Sequence, residues 1–375
     1  MTVGVPRETK ADEYRVGLLP VGAHMLVADG HRVLVERAAG MGSGFDDSHY
    51  ELAGAEIVDD TPNLYSQADL IIKVKDPQQN EVQHLHADQT VFAYFHFAAE
   101  RELAEALLER KVTAVAYETL TSANGELPLL KPMSEVAGKM SGQEGAKYLE
   151  KPMMGRGILL GGVPGVELAR VLILGGGVVG TNAARVAAGL AANVVIMDID
   201  LERLRHLSEV MPPNVNTMFS DPHAIQEHLL SADLIIAAVL IPGGRSPTLV
   251  ERKQLSRMKN SSVVVDVGID QGGALESSRP TTHSAPTFVE EGVVHYCVAN
   301  IPGAVGRTSS QALCNATLPY ARSLARLGAA AFGAIDPGHA AAINILDGHI
   351  VHPMVHEAFP ELPFSTSAIA ARGGH

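Results

Sequence analysis

Short apolar runs alternate with stretches of helical spacing almost from the first residue. Runs at residues 2–5, 33–36, 70–74, 91–95 and 112–117 are too short for helices and predict strands. Between the last two, residues 98–110 place Leu103, Leu107 and Leu108 at helical spacing. A second series follows, with predicted strands at 171–174, 194–197, 234–239, 263–267 and 293–298. Strands alternating with helices predict parallel sheets covered on both faces, so the two series predict two α/β domains.

The join falls near residues 128–132. Pro132 disfavours helix in the residue before it, so a helix is expected from Met133 to about residue 150. Ala137, Gly138, Ser141, Gly142, Gly145 and Ala146 inside it predict close packing, because glycine otherwise weakens a helix. A second helical stretch at 309–327, beyond Pro302, is expected to return the chain to the first domain. The expected division is a discontinuous domain of residues 1–128 plus 307–375, and a second domain of residues 129–306.

Composition narrows the class. A chain of 375 residues that is 46% hydrophobic suits two cores of ordinary size. Its net charge of −13 repels phosphate backbones and offers no basic run to an anionic membrane, so neither nucleic acid nor membrane is an expected partner. Cys297 and Cys314 form no CxxC and no Cys-His cluster, which predicts buried thiols in a reducing compartment. Met1-Thr2-Val3-Gly4-Val5-Pro6 has no charged segment leading into a long apolar stretch, and the apolar region 157–180 is broken by Pro164, Glu167 and Arg170. The expectation is a soluble cytoplasmic protein.

The run at 171–174 leads into Gly175-Gly176-Gly177-Val178-Val179-Gly180, which fits G-x-G-x-x-G at Gly175, Gly177 and Gly180. Alone that pattern is weak. Here it follows a predicted strand, opens a helix, and precedes a strand ending in Asp198, 18 residues past Gly180. Gly175 permits a tight turn, Gly177 a close approach of pyrophosphate to backbone, and Gly180 close packing of helix on strand. Asp198 suits ribose hydroxyls and repels a 2′-phosphate, favouring NAD over NADP. A glycine-rich turn without a ligand is the bland alternative.

Candidate chemistry gathers at predicted strand ends of the first domain. Lys75 follows the run at 70–74, His96 follows the run at 91–95, and Arg15 lies in the loop after the run at 2–5. Ligands of open parallel sheets collect outside the carboxyl ends of strands. Arg15 can grip a carboxylate through its fork, Lys75 can hold a carboxylate or polarise a 2-oxo group, and His96 can move protons near neutral pH. On position alone each is equally an ordinary solvated strand-end residue. In the second domain Asp270, before Gly272 and Gly273, is either a turn aspartate or an acid facing the cleft. Gly40-Met41-Gly42-Ser43-Gly44 reads as a structural loop, and no metal-ligand spacing, GxSxG elbow or Walker motif is present.

Several longer segments together resemble the bacterial alanine dehydrogenase family. They are Ile72-Lys73-Val74-Lys75-Asp76-Pro77, Leu129-Leu130-Lys131-Pro132-Met133-Ser134-Glu135-Val136-Ala137-Gly138, Leu160-Gly161-Gly162-Val163-Pro164-Gly165-Val166, Val239-Leu240-Ile241-Pro242-Gly243, Asp270-Gln271-Gly272-Gly273 and Ala299-Asn300-Ile301-Pro302-Gly303-Ala304-Val305. The resemblance runs from Gly4 to about Tyr320. It implies two Rossmann-like doubly wound parallel-sheet domains with a cleft between them, the first catalytic and the second NAD-binding. It implies reversible oxidative deamination of L-alanine to pyruvate, ammonium and NADH by a homo-oligomer, commonly a hexamer. By the same resemblance Arg15 and Lys75 bind substrate, while His96 and Asp270 exchange protons. Ser134, Val178, Val179, Asp198, Arg203, Ser220, Val239, Leu240, Val267, Ile269, Asp270, Arg279, Val298, Asn300 and Ile301 would line the cofactor beside Gly175, Gly177 and Gly180.

Gly268 stands where the family pattern has Ala, and Ile301 where it has Met. Leu327 stands where some relatives carry a metal-binding His, so no metal is expected. The main rival is the NAD(H)-binding subunit of a proton-translocating transhydrogenase; an NAD sensor without turnover and a dehydrogenase for another amino acid, such as a saccharopine-type enzyme, complete the field.

Overall fold

The computed structural model describes residues 1–239 and 246–365. Its strands are β1 (Thr2–Val5), β2 (Arg32–Glu36), β3 (Glu56–Val58), β4 (Leu70–Ile72), β5 (Thr90–Ala93), β6 (Thr113–Ala116), β7 (Arg170–Leu174), β8 (Asn193–Asp198), β9 (Val215–Phe219), β10 (Leu234–Ala237), β11 (Val263–Asp266), β12 (Thr287–Glu290), β13 (Val293–Tyr296), β14 (Ile343–Leu346) and β15 (His349–Ile350). The chain divides into two compact units, Met1–Met133 with Gly303–His375, and Ser134–Pro302. It leaves the first unit within the helix Lys131–Tyr148 and re-enters it just before the helix Gly306–Gly333. Gly328 (φ 75°, ψ 164°) interrupts that second helix, so its continuous part ends at Leu327.

The sheet of the first unit runs β15-β14-β6-β5-β4-β1-β2-β3. Strands β1 to β6 are parallel, and β14 and β15 add antiparallel at one edge. The second sheet runs β12-β13-β11-β10-β7-β8-β9, parallel except for β12. Counted within its own parallel set, each sheet reads 3-2-1-4-5-6, the doubly wound order. Its switch points lie between β1 and β4 and between β7 and β10. The central strands are apolar throughout because helices cover both faces; Leu70, Ile71, Ile72, Val263, Val264 and Val265 are all fully buried. The helix Arg101–Glu109 turns Leu103, Ala104, Leu107 and Leu108 inward onto the first sheet's core.

Four strands stop two residues short of the apolar runs that predicted them: β10 ends at Ala237 and not at residue 239, β13 ends at Tyr296 and not at residue 298, and the other two lie in the first sheet. β4 ends at Ile72 and not at residue 74, and β5 ends at Ala93 and not at residue 95. The amides of Val74, Lys75, Phe95 and His96 donate to side-chain carboxylates instead of continuing the ladder. β3, β9, β12 and β15 escaped the sequence pattern because edge strands need little hydrophobic character: β9 is half-exposed along its length. β14, inside the edge and fully buried, escaped it because its apolar run is short and broken by Asn344.

The small residues in the helix Lys131–Tyr148 have the expected use. A Cβ added to Gly138 would fall 2.3 Å from the Val179 carbonyl oxygen, and one at Gly145 would fall 2.6 Å from Leu234. Close approach of helix to helix and sheet within the second unit therefore excludes side chains at these points. No described helix is long and apolar enough to cross a membrane.

Candidate active site

In the first unit the chemistry sits at the carboxyl ends of four neighbouring parallel strands, β6-β5-β4-β1. Glu118 follows β6, His96 follows β5, Lys75 follows β4, and Glu8, Glu13 and Arg15 follow β1. The expected trio Arg15, Lys75 and His96 thus shares one edge of one sheet, with Arg15 and Lys75 flanking the switch point.

Arg15 is buried, and its Nε and Nη2 donate to the two carboxylate oxygens of Glu13 at 2.6 and 2.5 Å. Nη1 points to the Met133 sulfur at 3.2 Å. The fork that the sequence suggests for a ligand carboxylate therefore already holds one, supplied by the chain itself. Beneath Arg15 lies the loop Gly40–Gly44, whose Ser43 hydroxyl meets the Tyr14 carbonyl at 3.0 Å and the Ser310 hydroxyl at 2.7 Å. An added Cβ at Gly42 would fall 2.7 Å from the Tyr14 carbonyl oxygen, so the glycine-rich loop is a platform for the Arg15 segment.

Lys75 is half-buried, and its amide donates to Glu8 at 3.4 Å, beside the Val74 amide at 2.7 Å. Glu8 in turn meets Lys73 at 3.2 Å, and Lys73 meets Glu81 at 2.8 Å. All three side chains are shielded from solvent. Burial pushes the Lys73 ammonium down, but Glu8 and Glu81 outweigh it and hold its pKa above the ordinary value.

His96 is exposed and adopts a left-handed conformation (φ 52°, ψ 41°) at the start of the turn Phe97–Ala99. Its amide donates to Glu118 Oε1 at 2.7 Å. Its ring lies parallel to Tyr94 (1° between planes, 5.9 Å between centroids), and the Tyr94 hydroxyl donates to the Leu129 carbonyl at 2.5 Å.

The second unit is built differently. β7 runs into Gly175 (φ 101°) and then the helix Val178–Gly189, which no side chain caps. A Cβ at Gly180 would fall 1.8 Å from the Gly175 carbonyl oxygen, so only glycine permits this strand-helix packing. Among the described residues, no atom lies within 4 Å of a Cβ added at Gly177. Uncapped amides, a helix N-terminus and an unobstructed glycine face suit a pyrophosphate. Asp198 ends β8 half-buried; its Oδ2 accepts from the Gly176 amide at 2.6 Å and its Oδ1 from the Asp200 amide at 2.9 Å. It therefore braces the glycine turn as well as offering acceptor capacity to a ribose. Arg203 borders Gly176 beside it, and the Ser220 amide donates to the Asp198 carbonyl at 2.9 Å.

The other candidates of this unit fall at the remaining strand ends. Val239 follows β10, Val267 follows β11, and Val298 and Asn300 follow β13, with Asn300 at φ 65° and Ile301 buried next to it. Val178 and Val179 open the helix after the glycine turn, and half-buried Ser134 lies in the first turn of the helix Lys131–Tyr148. Arg279 is exposed with its guanidinium 4.2 Å above the Phe288 ring. Leu240 lies outside the described residues.

Asp270 is exposed on the turn Ile269–Gln271, next to buried Ile269. The turn hangs from Asp266, a buried carboxylate that accepts from the Gly268 amide (3.1 Å), the Ala274 amide (2.8 Å) and the Ser278 hydroxyl (2.6 Å). Burial raises the Asp266 pKa against these three bonds. A Cβ at Gly268 would sit 2.9 Å from the Val239 carbonyl oxygen, so glycine relaxes the packing between this turn and the end of β10.

Sequence reasoning missed Glu8, Glu13, Glu118 and Asp266, which hold the loops that carry the candidates. The available signal was Lys73, a charge inside an apolar run, since a buried charge demands partners.

Comparison with known proteins agrees with this arrangement. Residues 4–137 match the family described as alanine dehydrogenase/PNT, N-terminal domain, and residues 141–353 match alanine dehydrogenase/PNT, C-terminal domain. The chain is 53% identical over 359 residues to alanine dehydrogenase of Halomonas elongata, covering 96% of this chain and 97% of that one. It is 50% identical over 356 residues to alanine dehydrogenase of Bacillus subtilis, covering 95% and 94%. A solved structure of an L-alanine dehydrogenase superposes with a TM-score of 0.93 at 47% identity, covering 96% of this chain and 99% of that one. A transhydrogenase from Sinorhizobium meliloti superposes with a TM-score of 0.82 at 23% identity over 94% of this chain and all of that one, a likeness of fold alone. The chain belongs to the alanine dehydrogenase/PNT family.

Proposed function

We propose that this chain is an NAD-dependent L-alanine dehydrogenase, converting L-alanine, NAD and water reversibly to pyruvate, ammonium and NADH. The observation that supports this over a cofactor-binding module is the alignment of Arg15, Lys75 and His96 at one sheet edge, each backed by its own carboxylate: Glu13, Glu8 and Glu118. A binding module for NAD alone has no use for that set.

The second unit is the cofactor domain in this reading. Gly175, Gly177 and Gly180 shape the pyrophosphate turn, and Asp198 receives the ribose. When bound, NAD supplies the acceptor for the hydride leaving the substrate Cα. The first unit is the substrate domain. Lys75 fixes the carboxylate and the carbonyl oxygen, and Arg15, whose Nε and Nη2 are held by Glu13, contributes through Nη1, together orienting the Cα–H bond. His96 takes a proton from the substrate ammonium, which frees the nitrogen lone pair to assist hydride departure. His96 releases that proton to solvent as the proton of the net reaction, then deprotonates the water that attacks the resulting iminium. It returns this second proton to the nitrogen, and the C–N bond breaks as the hydroxyl proton passes to the departing ammonia, giving pyruvate and ammonium. Asp270 is the second proton-handling group.

The test is a substrate screen on the purified chain. NADH absorbance is followed with the twenty L-amino acids forward and with 2-oxo acids plus ammonium in reverse. L-Alanine and pyruvate are expected to lead, with NAD preferred over NADP. Activity with no amino acid, together with cofactor exchange once a transhydrogenase membrane partner is added, would replace this reading with the transhydrogenase one.

A further inference from the structure

The backbone at His96 needs an explanation that the reaction alone does not give. Histidine is a β-substituted residue, yet His96 occupies the left-handed region at φ 52°. Such a conformation persists only when its surroundings over-determine it. Two features do so here. Glu118 Oε1 accepts from the His96 amide at 2.7 Å and from the Phe95 amide at 3.2 Å, while Oε2 lies 3.4 Å from the Phe95 amide. Tyr94, anchored through its hydroxyl to Leu129, stacks parallel to the imidazole.

Glu118 comes from the turn Tyr117–Thr119, directly after β6, whose Ala116 is in register with Ala93 of β5. The grip has a counterpart on the neighbouring strand. Glu8, from the loop after β1, accepts from the Val74 and Lys75 amides just past the end of β4. In the order β6-β5-β4-β1 the outer pair supplies carboxylates and the inner pair supplies the candidate reactive residues. Each carboxylate binds two consecutive amides, the second belonging to the residue that faces substrate in the proposed reaction. The two carboxylates differ in backing: Glu8 is paired with Lys73, whereas Glu118 makes no ion pair among the described residues. Both of its shorter contacts reach backbone amides through the single oxygen Oε1, so the reach and placement of that acceptor define the grip.

We infer that Glu118 is a positioning residue for His96: by holding the Phe95 and His96 amides it sets the left-handed turn from which the imidazole reaches substrate. The inference rests on the proposed amino-acid dehydrogenase reading. Glu118 itself neither takes nor gives a proton in the reaction.

A double-mutant cycle tests it. Glu118→Ala, His96→Ala and the double variant are assayed for L-alanine oxidation, with NADH affinity measured by fluorescence on the same preparations. Glu118→Ala is expected to lower kcat on the order of 10²-fold, the cost of misplacing a reacting group by about 1 Å, with NADH affinity unchanged. In the His96→Ala background the same substitution is expected to cost almost nothing further, because the group it positions is gone. Glu118→Gln keeps an acceptor oxygen in place and is expected to recover most of the lost kcat. Glu118→Asp keeps the charge but draws it back by one methylene, and is expected to be slower than Gln. If Glu118→Ala fails to fold, the order of Gln over Asp decides, and Asp over Gln overturns the inference. It is also overturned by an undiminished kcat in Glu118→Ala, by a full additive loss in the His96→Ala background, or by Gln as slow as Ala. A wild-type chain that oxidises no amino acid would instead remove the proposed function, which keeps the two failures distinct.

Discussion

The two units share one strand order and load it with opposite chemistry. At the carboxyl edge of the first sheet stand Glu8, Glu13, Arg15, Lys73, Lys75, His96 and Glu118, several of them buried in mutual pairs. At the same edge of the second sheet stand Gly175, Gly176 and Gly177, with backbone amides presented by an uncapped helix. A small zwitterion offers few atoms, so its recognition needs full charges aimed at each one. A dinucleotide offers a long polar backbone, so amides and shape serve. Full charges at a sheet edge must be compensated when buried, which explains why the first unit surrounds its candidates with carboxylates and the second does not.

The sharpest way to break this contrast is to remove the side-chain chemistry and leave the backbone site alone. His96→Ala is expected to lower turnover of L-alanine by about 10²–10⁴-fold, the usual worth of a general acid–base group. NADH affinity, titrated by fluorescence, should be unchanged, because Gly177 and its neighbours belong to the other unit. A joint loss of both would make His96 structural and collapse the division of labour.

Next in size is the compensation itself. Lys73→Met leaves Glu8 and Glu81 buried without their shared cation, a change expected to cost about 3–5 kcal/mol in stability. The loss should appear in urea melts, and Glu8 should then hold the Lys75 amide less firmly, raising the KM for L-alanine. Stability equal to wild type would mean that the carboxylates take up protons at little cost.

The contrast also explains what the sequence made legible. Both sheets could be read from apolar runs such as Leu70-Ile71-Ile72 and Val263-Val264-Val265, because strands buried on both faces must be apolar throughout. The glycine turn could be read because backbone chemistry leaves a spacing signature: Gly175 (φ 101°) and Gly180 exclude side chains, and Gly177 keeps an unobstructed face among the described residues. Arg15, Lys75, His96 and Asp270 were visible as strand-end polar residues, but position alone gave them no advantage over solvated ones; the family resemblance did. Glu8, Glu118 and Asp266 were not visible. Their partners are backbone amides, which carry no residue identity, so nothing in the sequence paired them. The early ends of β4 and β5 have the same cause.

Two glycine substitutions sharpen the backbone side. Gly180→Ala forces a Cβ to 1.8 Å from the Gly175 carbonyl oxygen, so the protein without ligand should lose about 1–3 kcal/mol or more, the range of core overpacking. Gly177→Ala meets nothing within 4 Å among the described residues, so its melting temperature should stay near wild type while NADH binding weakens on the order of tenfold, about 1.4 kcal/mol. Equal effects on melting would show that both glycines serve the fold and that neither faces ligand.

The smallest effect concerns a histidine the chemistry does not use. His295 on β13 is buried; its Nδ1 lies 3.0 Å from the Val293 carbonyl oxygen and must donate to it, so Nε2 accepts from the Ser277 hydroxyl at 2.8 Å. Burial holds its pKa below the ordinary value, against the Val293 bond and helped by the charges of Arg252 and Arg279. The unfolded chain then binds a proton at about pH 6.5 that the folded chain refuses until lower pH. Stability is therefore complete above that pH and falls as the solution is acidified below it, with a slope of at most about 1.4 kcal/mol per pH unit for this one group. His352 in the first unit, also depressed by burial, acts with the same sign. Asp266, raised by burial, acts with the opposite sign: its ionisation as pH rises above the carboxylate range costs stability, so it opposes the trend wherever the windows overlap. His295→Gln keeps a neutral donor and acceptor without a titration. It should be less stable than wild type at pH 7.5, yet lose less between pH 7 and 5.5 in urea melts. Parallel pH slopes for the two proteins would show that His295 takes up its proton equally in both states, and that its contacts with Ser277 and Val293 tolerate the charge.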